Sequence, residues 1–128
     1  MYDTIVIGAG PAGMTAALYA GRSNLKVALL ERGIYGGQMN NTAEIENYPG
    51  YDHISGPALA EKMFEPLEKF GVDHIFGTLI RIEEDGPIKK VITEDGVLET
   101  KSIILAMGAK HRLLGVPGED TYNSRGVS

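Results

Sequence analysis

Three glycines at a fixed spacing constrain this chain more than any other feature. The apolar run Thr4-Ile5-Val6-Ile7 breaks into Gly8-x-Gly10-x-x-Gly13 and continues as Met14-Thr15-Ala16-Ala17-Leu18-Tyr19-Ala20, a helix-forming stretch. A glycine triplet alone is a weak signal. Between a strand and a helix, with an acid at the end of the next strand, it points to dinucleotide binding. Gly8 permits the tight turn, Gly10 lets the backbone approach a pyrophosphate, and Gly13 lets the helix pack close to the strand. The free amides at the helix start then face the phosphates, and the helix dipole favours their negative charge.

The next strand completes the unit. Leu25-Lys26-Val27-Ala28-Leu29-Leu30 is a second apolar run that ends in Glu31. A carboxylate there accepts hydrogen bonds from both ribose hydroxyls of an adenosine and repels a 2′-phosphate, so FAD or NAD fits and NADP does not. Arg32 follows directly and makes that reading less clean. The bland alternative is a glycine turn in an ordinary βαβ unit, with Glu31 a solvated strand end.

At 128 residues the chain fits one domain with a real core. A formal charge of −5 and the lack of a basic run argue against a nucleic-acid partner. The apolar runs are far shorter than a membrane span requires. The first strand begins almost at the N-terminus, so no signal peptide and a cytoplasmic setting are expected. With no cysteine, disulfides and thiolate metal sites are excluded. His53, His74 and His111 are widely spaced, show no ligand pattern and read as structural or solvated.

Residues 32–55 read as a long loop rich in Gly, Asn, Tyr and Pro, an ordered binding loop rather than a linker. Gly56-Pro57 opens a second helix. Leu59, Met63, Leu67 and Phe70 repeat at helical spacing along it, with Phe64 beside them. Pro66 is expected to kink that helix or shift its boundary, and Gly71 suits its C-terminal cap. Val72–Phe76 is a short strand placed to join a parallel sheet. Thr78–Glu83, Lys89–Glu94 and, after the hairpin signal Asp95-Gly96, Val97–Thr100 read as a three-stranded antiparallel meander. Glu83-Glu84-Asp85 is its solvated tip. Ser102–Met107 is a continuous apolar run suited to a strand buried on both faces. It ends in Gly108-Ala109, small residues that let a large planar group or another backbone come close. Leu114–Gly118 reads as a turn or linker, and Asp120–Ser128 shows no clear element. The fold class is α/β: a Rossmann-like layered fold of parallel sheet, helices and β-meander, expected to be incomplete.

Taken together these residues resemble one family. Gly8–Gly13, the loop Gly36-Gly37-Gln38-Met39, the segment Ile45-Glu46-Asn47-Tyr48-Pro49-Gly50 and the strand Ile104–Ala109 occur in that order. They look like the FAD-binding part of the low-molecular-weight bacterial thioredoxin reductases, a class of pyridine nucleotide-disulfide oxidoreductase. The resemblance covers essentially the whole chain. The loop with Gly36-Gly37-Gln38 and Glu46–Gly50 is its most specific part. By this resemblance Gly8, Gly10, Pro11, Ala12 and Gly13 line the FAD pyrophosphate, and Glu31 holds the adenosine ribose with Arg32 beside it. Gly37 and Gln38 run along the ribityl chain and flavin edge, and Asn47 approaches the isoalloxazine ring. Met107, Gly108 and Ala109 close over the cofactor. Read without the resemblance, Gln38 and Asn47 could simply tie down their own loop, and Met107 could fill core.

In this family electrons pass from NADPH through FAD to a Cys-x-x-Cys pair and on to thioredoxin. This sequence has no cysteine and no second glycine fingerprint. In the family, Arg125-Gly126-Val127-Ser128 stands immediately before the cysteine pair. The resemblance therefore implies residues 1–114 as the N-terminal portion of an FAD-binding domain and 115–128 as a linker toward an absent NADPH/disulfide domain. The chain alone is expected to be inactive, with a strand edge left open and self-association or domain exchange as the consequence. Thioredoxin as partner and a homodimer are carried by the resemblance. No nucleic acid and no membrane partner are expected. Two alternatives remain: the flavin part of a thioredoxin-reductase-like ferredoxin or flavodoxin reductase, and a non-catalytic flavin-binding module.

Overall fold

The computed structural model describes residues 1–110, 112–122 and 124–125. His111 and the Gly126–Ser128 end of the last motif lie outside the described residues. In chain order the elements are β1 (Tyr2–Ile7), α1 (Pro11–Arg22), β2 (Val27–Glu31), a 3-10 helix (Gly37–Asn41), α2 (Gly56–Lys69), β3 (Asp73–Phe76), β4 (Leu79–Asp85), β5 (Ile88–Thr93), β6 (Gly96–Leu105) and α3 (Glu119–Tyr122). They build one six-stranded sheet in the order β3-β2-β1-β6-β5-β4. The strands from β3 to β6 across β2 and β1 are parallel, and β6, β5 and β4 are antiparallel. The α/β layered architecture expected from the sequence is the one observed.

Alternation along β1 sorts the core into two sides. Val6 packs with Met14, Ala17, Leu29, Leu67 and Val72 on the helical side. Ile5 and Ile7 pack with Ala28, Leu30 and Val91 on the other. Val91 belongs to β5, so the meander covers the second face of the parallel strands.

Two expectations about β6 change. The third meander strand and the final parallel strand are one continuous strand of 10 residues. Thr100 is its crossover point: it stands opposite Lys89 of β5 on one edge and Tyr2 of β1 on the other. Its backbone stays extended, and its buried hydroxyl donates to the Ser102 carbonyl at 2.9 Å. Just beyond, Asp3 ties three strands together. Its carboxylate accepts from the Lys26 amide at 2.7 Å and pairs with Lys101 at 3.1 Å, while its carbonyl accepts from the Ser102 hydroxyl. The Lys26 amide first, then the Lys101 ammonium, hold the Asp3 carboxyl below its usual range. Nor is β6 buried on both faces. Ile104, Leu105 and Met107 are exposed. Among the described residues no strand pairs with Lys101–Leu105 on the edge away from β1.

The helices end where capping chemistry stops them. At the end of α1, Asn24 takes a left-handed φ of 61°; its amide bonds the Gly21 carbonyl and that of Leu25 bonds Ala20, a Schellman pattern. At the start of α2, Ser55 accepts from the Ala58 amide. Pro66 does not shift the boundary of α2, which runs on to Lys69. Proline removes one ladder bond, but Leu67 is buried in the core and Gly71 and Val72 close a second Schellman pattern onto Glu68 and Leu67. Burying a leucine contributes about 1.5–3 kcal/mol, enough to offset most of a proline penalty of about 3 kcal/mol. The long loop 32–55 is ordered by the 3-10 helix and by a bridge between Ile45 and Ile54. The short helix α3 stands where no element was expected.

Candidate functional site

The carboxyl ends of β1, β2 and β6 open onto a cleft of about 580 Å³, the position where open α/β sheets bind ligands. The glycine turn forms its floor. Gly8 has a φ of +105°, and a Cβ there would collide with the Ala106 carbonyl. Its amide bonds Leu30, and the Ala106 amide bonds Ile7, so β2, β1 and β6 meet at this turn. Gly13 lies one layer beneath, where a Cβ would run into the Gly8 carbonyl. Gly10 is different. Its φ of −76° suits any residue, and among the described residues nothing stands within 4 Å of where its Cβ would be. Neither backbone nor packing among the described residues demands glycine there, so the surface above Gly10 is open to close approach by another molecule.

Gly10 caps α1 without a side-chain hydrogen bond, and no acid lies in the first turn. The first-turn amides and the positive end of the dipole are thus available to an anion. Arg32 lines the same cleft. Glu31 is already oriented: one carboxylate oxygen accepts from the Ala9 amide at 2.7 Å, the other from the Gly33 amide at 3.0 Å. It therefore staples the glycine turn to the loop after β2, with lone pairs left over for hydroxyl donors.

That loop supplies the second wall. Gly36 donates to the Ala9 carbonyl at 2.8 Å, and the Asn40 amide nitrogen donates to the Tyr35 carbonyl. Tyr35 stacks on Phe64 of α2, with ring centroids 4.1 Å apart, and His74 of β3 meets Phe64 edge-on. Gly56 bonds the Thr42 carbonyl, and a Cβ there would strike the Met39 carbonyl. The third wall is Ala106–Ala109, whose Ala109 carbonyl accepts from Gln38 Nε2.

Of the residues singled out in the sequence, Gly8, Gly10, Pro11, Ala12, Glu31, Arg32, Gly37, Gln38, Met107, Gly108 and Ala109 all line this one cleft. Gly13 supports it from below. Asn47 is exposed and lies outside the lining. Sequence reasoning missed Asn41 and the turn Gly77-Thr78-Leu79. Asn41 closes the Gly36-Gly37-Gln38 loop and could have been read from that position. The Gly77 turn carries no local signal. It reaches the cleft because Gly77 bonds the Glu31 carbonyl at the end of β2. Among the described residues no cluster of three His, Asp or Glu side chains could hold a metal. No helix of the described residues is long and apolar enough to cross a membrane.

The chain matches the family described as pyridine nucleotide-disulphide oxidoreductase over residues 2–128. It is 48% identical over 128 residues to the thioredoxin reductase of Listeria monocytogenes, a match covering 100% of this chain and 40% of that protein. The structure of Lactococcus lactis thioredoxin reductase superposes with a TM-score of 0.88 at 60% identity, over 97% of this chain and 41% of that one. That of the Streptococcus pyogenes enzyme gives 0.86 at 67% identity, over 98% of this chain and 41% of that one. The chain thus spans about two fifths of the length of the relatives it matches. The family match over residues 2–128, with the fold shared with these structures, places this chain in the pyridine nucleotide-disulphide oxidoreductase family.

Proposed function

We propose that the cleft binds FAD and that residues 1–114 are the flavin-binding portion of an NADPH-dependent thioredoxin-disulfide reductase. The observation that carries this reading is Gly10 beside Glu31: a glycine that nothing among the described residues requires, next to a carboxylate already aimed and still able to accept. The first-turn amides of α1 would take the pyrophosphate, with Arg32 nearby. Glu31 would accept from the adenosine ribose hydroxyls. Gly37 and Gln38 would follow the ribityl chain, and Met107, Gly108 and Ala109 would cover the other side. When bound, the flavin supplies two-electron chemistry between a nicotinamide and a disulfide. This chain's own residues bind and orient it and hold fixed dipoles around it.

The names of the matched relatives support thioredoxin as the partner, and the family name supports a pyridine nucleotide as donor. We further infer NADPH as that donor, a cytoplasmic setting and a homodimeric parent. The sequence contains no cysteine, so the dithiol step needs residues beyond these 128. The chain by itself should not support thioredoxin-dependent NADPH oxidation.

The test is a titration of the purified chain with FAD, followed by the change in flavin fluorescence. Saturable binding is expected, weak because among the described residues no strand pairs with Lys101–Leu105 of β6 on the edge away from β1. Glu31→Lys should weaken it by at least tenfold while leaving the fold intact by circular dichroism. Equal binding by both proteins overturns the reading.

A further inference from the structure

The sheet ends on two outer strands, β3 and β4. β4 is defended against pairing: its register shifts between Leu79 and Arg81, and Glu83, Glu84 and Asp85 load it with charge. β3 keeps an unbroken register and carries no proline or lysine. Among the described residues its one partner is β2, so the N–H and C=O groups on its other side are open.

Alternation gives this edge an apolar side. Ile75 packs against the core on the meander side, whereas His74 meets Phe64 of α2 edge-on, with ring centroids 5.0 Å apart. Phe76, two residues on, shares the helical side with His74 and is 69% exposed. Between α2 and β3 lies a notch of about 300 Å³, with the buried Leu29 and Leu67 beneath it and Phe64, Val72 and His74 around it. Glu68 stands at its lip, exposed and without an ion pair among the described residues. None of these residues lines the cleft at the glycine turn.

We propose that β3 and this notch form a docking surface for an extended, basic segment of a partner protein, which adds to the sheet as a further strand. Backbone pairing supplies affinity, and alternate side chains supply selectivity. Side chains two apart on one strand stand about 6.6 Å apart, the spacing that His74 and Phe76 set on β3 itself. One apolar side chain of the partner fills the notch, and the next but one covers Phe76. A lysine or arginine beyond the notch pairs with Glu68, and the formal charge of −5 on this chain favours a basic segment. A second copy of this chain brings like charge to the same edge.

The test uses the 128-residue chain, labelled with nitrogen-15, and the peptide acetyl-Lys-Thr-Leu-Thr-Phe-Thr-Lys-amide. Its lysines at both ends satisfy Glu68 in either strand direction. Titration should shift the amide resonances of residues 72–77, Phe64 and Leu67 saturably. The same peptide with its internal backbone nitrogens methylated keeps every side chain but cannot donate, and its affinity should fall at least about tenfold. Phe76→Ser should weaken the parent peptide about fivefold and Glu68→Gln about threefold. Equal affinity for the methylated peptide overturns strand addition, and so does the lack of any saturable shift. Shifts confined to residues 101–105 give the role to the β6 edge and overturn the assignment to β3. Movement of the β3 resonances on dilution without peptide assigns this edge to a second copy and overturns the basic partner.

Discussion

Two apolar stretches of this chain have nearly the same composition and opposite fates. Val27–Leu30 in β2 is completely buried, whereas at the end of β6 Leu105 is 58% exposed, and Met107, two residues beyond, is 61% exposed. Farther on, Leu113 and Leu114 are exposed as well. The difference lies in neighbours. β2 has β1 and β3 on its edges, helices on one face and the meander on the other. The last residues of β6 have β1 on one edge and, among the described residues, no strand on the other. The first βαβ unit is covered by β3, α2 and the meander. On the far side of the cleft apolar side chains stay exposed among the described residues, and an exposed apolar strand edge invites pairing.

The sharpest break of this contrast is at the turn where the two regions touch. Gly8→Ala forces a Cβ into the Ala106 carbonyl at a φ that alanine disfavours. A loss of roughly 3–4 kcal/mol is expected, read from urea denaturation; a variant within 1 kcal/mol of wild type would show that the turn is not the junction described. A matched pair comes next. Leu29→Ala should cost about 2–5 kcal/mol through lost burial and a cavity, whereas Leu105→Ala should stay within about 0.5 kcal/mol. Equal costs would mean that β6 is covered in solution.

Association tests the same exposed edge from outside. Wild type should sediment as a concentration-dependent mixture, and the double variant Leu105→Lys/Met107→Lys should shift it toward monomer. A wild type that remains monomeric at every concentration would contradict the open edge.

Asp3 gives a subtler handle, because it joins β1 to the start of β2 and to β6. Its folded pKa lies below the ordinary 3.8, so its contribution is present above the unfolded carboxylate pKa and disappears as pH falls through the folded value. Asp3→Asn should therefore flatten the acid limb of stability below about pH 4. Parallel acid limbs in both proteins would exclude the link. The smallest effect belongs to Thr4, buried in β1 with a hydroxyl that finds no partner among the described residues. Thr4→Val should be neutral or stabilise by up to about 1 kcal/mol in thermal melts.

Much of the cleft was legible because its signals are local. Gly8, Gly10 and Gly13 act over one turn of chain, and Glu31 ends the strand that the βαβ pattern places beside them. Gly71 announced its cap by residue type. Pro66 does not move the end of α2, because burial of Leu67, a gain that depends on β2 and on α1, and the cap at Gly71 offset much of its local penalty. Asn47 was placed at the cofactor by resemblance, and its exposed loop does not bring it to the lining. The Gly77-Thr78-Leu79 wall had no signature at all, since its place depends on a hydrogen bond to a carbonyl 46 positions earlier in the chain.

By itself the sequence determined the glycine turn, the helix it opens, the acid that orients beside it and the existence of three antiparallel strands, because each follows from backbone sterics or side-chain period within a few residues. Only the tertiary structure decided that the third of those strands runs on into the parallel sheet, that Gln38 meets Ala109, and that among the described residues the end of β6 has no second strand beside it. Those outcomes depend on which distant segments share an edge, and no local preference encodes a neighbour dozens of residues away.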